Sequence, residues 1–282
     1  MITCNLMGGL GNQLFQIFTT ISYALSVKDK FTFLNVETLG TGSTIIRYTY
    51  WNTFLNRMRP FLIYKFVPNK VIKEKHFCYD ELPIDTDTNT DTNIMLYGYF
   101  QSYKYFQENQ KLICKLIGLD KMKDKIKERF IKDSPLNNIS MHFRLGDYKQ
   151  NPLMYPIATY QYYADSLLYI QNTYPDVPFN ILYFCEEEDI EDVLVTITQL
   201  SNTFSLYTFE RGEKTLEDWE QMLLMSCCQH NIIANSSFSW WAAYLNTSPD
   251  KIVCYPATWF GPSAKLDTKD LCPPEWIRIL CL

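Results

Sequence analysis

The stretch Ile232-Ile233-Ala234-Asn235-Ser236-Ser237-Phe238-Ser239-Trp240-Trp241-Ala242-Ala243-Tyr244-Leu245 decides how the chain is read. Its first three residues are apolar and close a strand. Asn235 and Ser236 bring cap chemistry, and a helix follows. The free backbone N–H groups of such a helix start, beside hydroxyls and an amide, can hold an anion. The plainer alternative is that Asn235 and Ser236 only cap the helix while Trp240 and Trp241 fill the core. The two readings are compatible.

Around this stretch the second half alternates. Apolar runs predict strands at 138–143, 179–184, 204–208, 231–234 and 251–254. Helical periodicity predicts helices at 159–173, 187–199, 215–229 and 237–246. Such alternation implies a parallel sheet with helices on both faces. Ligands of these sheets bind beyond the carboxyl ends of the strands, which points to the loops after residues 143 and 234.

The first of those loops is His142-Phe143-Arg144-Leu145-Gly146-Asp147-Tyr148. His142 and Arg144 share strand parity and so face the same way. Arg144 stays charged and can grip a phosphate with two parallel N–H groups. His142 and Asp147 are placed to bind a nucleoside or to orient Arg144. The alternative is a surface ion pair between Arg144 and Asp147.

A third constellation opens the chain. Ile2 to Leu6 reads as a strand, Gly8-Gly9-Leu10-Gly11 as a turn, Asn12 to Val27 as a helix and Phe31 to Leu34 as a second strand. Gly9 and Gly11 let a backbone approach a ligand, with Asn12 and Gln13 beside them. A dinucleotide fingerprint needs a third glycine where Leu14 stands, and an acidic residue where Asn35 ends the next strand. An oxidoreductase of that kind is therefore disfavoured.

Between these halves the pattern is weaker. Ile94 to Tyr97 reads as a strand and 103–132 as helix. Ser134-Pro135-Leu136-Asn137-Asn138 reads as a linker, dividing the chain into domains at 1–135 and 136–282. Asp85, Asp87, Asn89 and Asp91 mimic the odd positions of a calcium loop. Thr90 and Leu96 stand where that loop needs Gly and Glu, so a solvated loop is expected and no metal site is assigned. His76 reads as a surface residue and His230 as a packing or capping one. Glu186-Glu187-Glu188-Asp189 reads as a helix start, where negative charge is favourable.

Composition bounds the function classes. The 282 residues are 47% hydrophobic and 20% charged, enough to bury a real core. A net charge of −5 argues against a general nucleic-acid binder. Aromatics at 16% supply platforms for sugars and bases. Nine cysteines with no C-x-x-C pair read as reduced thiols in a cytoplasmic, soluble protein. No targeting segment or membrane anchor is visible.

Taken together, the three constellations resemble the α-1,2-fucosyltransferase family, glycosyltransferase family 11. That family carries a G-G-L-G-N-Q-like start, an H-x-R-R-G-D-Y-like centre and an N-S-(S/T)-F-S-W-W-like late motif. Here they stand in that order at 8–16, 142–148 and 235–241. The resemblance implies an α/β fold of the GT-B type, two Rossmann-like domains facing a cleft. It implies inverting, metal-independent transfer of L-fucose from GDP-β-L-fucose to the 2-OH of a galactose-type glycan acceptor, with no cofactor. By the same resemblance Arg144 contacts the β-phosphate, His142 the nucleoside, and Ser236, Ser237 and Phe238 form the phosphate turn. Asn12 faces the sugar or phosphate. Asp147 is the general-base candidate by proximity, or else braces Arg144.

Two departures bear on specificity. Leu145 replaces the family's second arginine, and Gln221 stands where related enzymes carry an aspartate that reads guanine. Either departure motivates another GDP-sugar as donor. A catalytically inactive glycan-binding protein is the other alternative.

Overall fold

A computed structural model describes residues 1–40, 46–84, 92–131 and 137–280. The chain forms two compact units. The first takes Met1–Lys121 and Leu266–Pro273, the second Met122–Lys265 and Pro274–Leu282. The expected division after residue 135 falls among 132–136, and the aspartate-rich tract among 85–91; both lie outside the described residues.

In the first unit β1 (Ile2–Cys4) leads through the glycine turn into α1 (Leu10–Ser26). Leu14, Phe15, Ile17, Phe18 and Ile21 are buried, as are the polar Gln13, Gln16, Thr19 and Thr20. A helix covered nearly all round belongs to the middle of its unit. Two short pairs follow. β2 (Phe33–Leu34) runs parallel to β5 (Leu62–Ile63), and β3 (Thr38–Leu39) antiparallel to β4 (Arg47–Tyr48). β6 (Lys70–Lys73) and β7 (Ile94–Tyr97) complete a parallel sheet in the order β1-β7-β6, with Ile2 opposite Ile94.

The expected single helix over 103–132 is two: α2 (Gln110–Ile117) and α3 (Leu119–Phe130). Gly118 separates them at φ +76°, where it closes α2 in the left-handed conformation. A Cβ there would lie 2.6 Å from Arg57 Nε. The Lys-rich composition gave no hint of the break, because a lone glycine inside a helical pattern is usually tolerated.

The first unit also holds the late segment Leu266–Pro273. The buried Asp270 accepts from Lys104 Nζ and from Tyr79 N–H at 3.2 Å. Ser102 Oγ donates to the Asp270 carbonyl at 2.6 Å.

The second unit is a six-stranded, all-parallel sheet. Its elements are β8 (Asn138–His142), α4 (Tyr160–Thr173), β9 (Asn180–Phe184), α5 (Ile190–Thr203), β10 (Thr208–Arg211), α6 (Asp218–Ser226), β11 (His230–Ile232), α7 (Ser237–Tyr244), β12 (Val253–Pro256) and β13 (Ile277–Ile279). The strand order is β10-β9-β8-β11-β12-β13, so the chain reverses direction across the sheet between β8 and β11. Crevices at such reversals receive ligands. Ile139, Met141, Tyr162, Leu167, Ile181, Val193 and Ile197 share one core. Each fully buried large apolar side chain contributes roughly 1.5–3 kcal/mol.

The strand expected at 204–208 is displaced to Thr208–Arg211. Phe204 and Tyr207 are apolar because they pack, rings stacked, beneath the end of α5. The true strand lies at the sheet edge and alternates exposed and half-buried residues, so it has no apolar run to read. β6, Lys-Val-Ile-Lys, has no apolar run to read either, whereas β13 lies within the apolar Trp276–Leu282 and was not assigned.

Candidate active site

β8 is buried along its whole length and delivers His142 to the carboxyl edge of the sheet. The His142 ring lies 5.4 Å from Phe238, at the start of α7. Burial, reinforced by the charge of Arg144, pushes its pKa down to about 3, so the imidazole is neutral near pH 7. Its Nδ1 is buried without a hydrogen-bond partner. A neutral ring with an unused polar atom is suited to bind a ligand's hydrogen-bonding group.

Two residues on, Arg144 emerges with its side chain 21% exposed. One terminal nitrogen donates to Asp147 and the other to Glu186. The guanidinium also lies 5.2 Å from the centre of the Tyr148 ring. Although burial opposes its charge, the two carboxylates raise its pKa further above the ordinary value. Asp189, buried behind this turn, accepts from Gly146 N–H and from Lys149 Nζ, each at 2.7 Å. Tyr148 Oη donates to the Asn235 carbonyl at 2.9 Å and ties the arginine turn to the turn before α7. Burial pushes the Tyr148 phenol up to about 12, so it remains a donor.

α7 begins where the sequence predicts. Ser236 caps it by accepting from Phe238 N–H at 3.3 Å, and its first turn holds no acidic residue. At the other end Lys251 Nζ donates to the Ala243 and Asn246 carbonyls at 2.7 Å, and the buried Lys123 donates to the Leu245 carbonyl at 2.7 Å. Burial pulls Lys251 down to about 8. Cations at the carbonyl end complement the helix dipole and leave the amide end for an anion.

The predicted residues divide by what they do. Arg144, Asp147, His142, Asn235, Ser236 and Phe238 are knitted around the β8 and β11 ends by the contacts above, with Ser237 opening α7. Asn235 is spent on the fold: its Nδ2 donates to the Pro156 and Trp259 carbonyls, both at 2.9 Å, and its Oδ1 is buried without a partner. Gln221, on α6, donates to the Leu216 carbonyl at 3.0 Å. In the first unit Gln13 is fully buried and donates to the Gly8 and Tyr48 carbonyls at 3.0 and 2.9 Å. Asn12 Oδ1 accepts from Gln101 at 2.8 Å. Gly8 stands at φ +76° against the Asn12 side chain, whereas a Cβ on Gly9 would meet nothing within 4 Å. Gly11 is buried in the first turn of α1. Among the described residues, no group of three or more His, Cys, Asp or Glu is arranged to hold a metal ion.

Sequence reasoning missed Glu186, Tyr148 and Asp189 as parts of this knot. The acidic run ends β9, directly beside β8, so the rule that picked the loop after residue 143 applies equally to the loop after 184.

The sequence model of glycosyl transferase family 11 matches residues 1–280. The chain belongs to glycosyl transferase family 11. An α-1,2-colitosyltransferase of Escherichia coli is 27% identical to this family 11 chain over 300 residues, covering 99% of each. The O-antigen biosynthesis glycosyltransferase WbnK of the same organism is 29% identical over 192 residues, 65% of this chain and 60% of its own. The solved POFUT1–GDP complex superposes with a TM-score of 0.51 at 9% identity, over 90% of this chain and 97% of that one, and shares the fold. The family 11 glycosyltransferase is thus an α/β protein of the GT-B type built on parallel sheets. Its eight described cysteines are free thiols, and none of its described helices is long and apolar enough to cross a membrane.

Proposed function

We propose that this family 11 enzyme transfers L-fucose from GDP-β-L-fucose to the 2-OH of a galactose-type acceptor, with inversion. The observation that carries the donor side is Arg144, a guanidinium at the carboxyl end of β8, in the same knot as the amide end of α7. As the glycosidic bond breaks, negative charge grows on the β-phosphate. A preorganised cation and helix amides aimed there lower the barrier without reorganisation. The neutral His142 and the face of Phe238 take the nucleotide side, with Ser236 and Ser237 holding the phosphate turn. By the family resemblance, Asn12 is a candidate ligand for the sugar or phosphate.

Asp147 acts here as a positioning residue. Its carboxylate is bound to the cation that holds the leaving phosphate. In an inverting displacement the acceptor oxygen attacks from the opposite face of the sugar. A carboxylate on the leaving side orients Arg144 and is badly placed to deprotonate the nucleophile.

A second donor has support of its own, the 27% identity with an α-1,2-colitosyltransferase over the whole chain. Colitose is L-fucose without its 3-hydroxyl, so the two donors differ by one polar group. Leu145 and Gln221 are the departures from the family pattern that motivate this second donor. The test is GDP release by purified protein with GDP-fucose or GDP-colitose, with lactose as acceptor, in EDTA, followed by NMR of the product linkage. Acceptor-dependent release from GDP-fucose and an α-1,2 product is the expected result. Release from GDP-colitose alone would move the assignment to that sugar. No release from either would sink both.

A further inference from the structure

Arg144 does not stand open to a phosphate in this structure. Its two terminal nitrogens are taken by Glu186 and Asp147. A bidentate grip on a diphosphate uses that same planar fork. The three side chains already sum to −1, and a nucleoside diphosphate brings more negative charge to the same spot.

The two carboxylates are held differently. Asp147 is three residues from Arg144 on one short turn, and that turn is pinned by Asp189 through Gly146 N–H and Lys149. Glu186 comes from the end of β9, 42 residues away, with its side chain 49% exposed. Among the described residues its carboxylate makes no other hydrogen bond. Its neighbours are committed elsewhere: Glu187 to Arg211 at 2.7 Å, Asp189 to the turn. Gly146 supplies the seat. It stands at φ +33°, and a Cβ there would lie 2.6 Å from Glu186 Oε2. A glycine at that point lets Glu186 lie against the turn and reach the guanidinium.

We propose that Glu186 is a displaceable counter-ion of Arg144, which yields to the donor diphosphate and recaptures the guanidinium to help expel GDP after transfer. This rests on the reading of Arg144 as the diphosphate ligand. Asp147 stays as the fixed brace, and Glu186 tunes how tightly and how long the nucleotide is held. A residue that merely stabilised the turn would weaken binding when changed. A competing anion must strengthen it.

The experiment measures GDP affinity by calorimetry and GDP dissociation by stopped flow for wild type, Glu186→Gln and Arg144→Ala. Glu186→Gln keeps the side chain's size and removes its charge. The expected result is GDP binding about tenfold tighter, the order for one like charge removed at a few ångströms, with slower dissociation. Arg144→Ala should lose most of the binding. Affinity in Glu186→Gln equal to or weaker than wild type overturns the proposal, and loss of binding in Arg144→Ala would then leave the donor reading standing. Unchanged binding in Arg144→Ala overturns the donor reading itself. Glu186→Ala deletes the carboxylate and should move the same way. Failure of both glutamate variants to fold would show a structural anchor and overturn the counter-ion role.

Discussion

The glycine turn at 8–16 and the arginine turn at 142–148 both follow a buried parallel strand, yet they spend their polar groups in opposite directions. In the glycine turn Gln13 and Gln16 face their own backbone. Gln16 exchanges hydrogen bonds with the Met7 N–H and carbonyl at 2.9 and 3.2 Å, and Gln13 closes on Gly8 and Tyr48. That turn is held in shape by amides. In the arginine turn the charged group is only partly covered and is paired with the side chains of Asp147 and Glu186, while the buried Asp189 does the shaping. A motif is thus rich in polar residues either because the backbone needs them or because a ligand does, and bonding partners tell the two apart.

Four measurements sharpen that contrast. The largest effect is expected from Arg144→Ala, a fall in kcat of about 10²–10³, or ~3–4 kcal/mol of transition-state stabilisation, with an unchanged unfolding midpoint. Gln13→Ala should do the reverse. Leaving two carbonyls without their donor costs about 1–3 kcal/mol of stability, read by chemical denaturation, while the folded fraction keeps its donor KM. A large loss of kcat in folded Gln13→Ala would bring that amide into the catalytic machinery.

The third measurement is acid unfolding. His142 and His230 are both held neutral by burial, at about 3 and about 4. The unfolded chain therefore binds more protons between those values and about 6.5. Stability is whole above that window and falls as pH drops through it, by up to ~1.4 kcal/mol per pH unit for each histidine. Both lie in the second unit, so the emission of Trp240, Trp241, Trp259 and Trp276 should change before that of the first unit's Trp51. The smallest effect is expected from Ser236→Ala, loss of the α7 cap at about 1 kcal/mol. It should also raise the donor KM, whereas a change in stability alone would reduce Ser236 to the cap.

The second unit was the more legible because its strands are buried runs separated by helical periods. Even there β10 was misplaced: the edge strand Thr208–Arg211 has little to bury, and the nearby apolar residues serve a helix end. In the site, Arg144 and Asp147 were readable as a pair three apart. Glu186 was not, because its partner is 42 residues away and its acidic neighbours suit a helix start equally well. A glutamine beside glycines, as Gln13 is, looks from the sequence like a binding group. The two carbonyls it serves, one of them 35 residues away, leave no mark on the local sequence.

The return of Leu266–Pro273 to the first unit, with Asp270 seated against Tyr79, Ser102 and Lys104, sets a rule for anyone cutting or recombining this chain. One cut between the halves separates the first unit from an acid that three of its own residues hold. A hybrid of two family members joined at a single crossover would inherit that acid from one parent and its sockets from the other. Only an exchange that carries residues 266–273 along with 1–121 moves the unit whole.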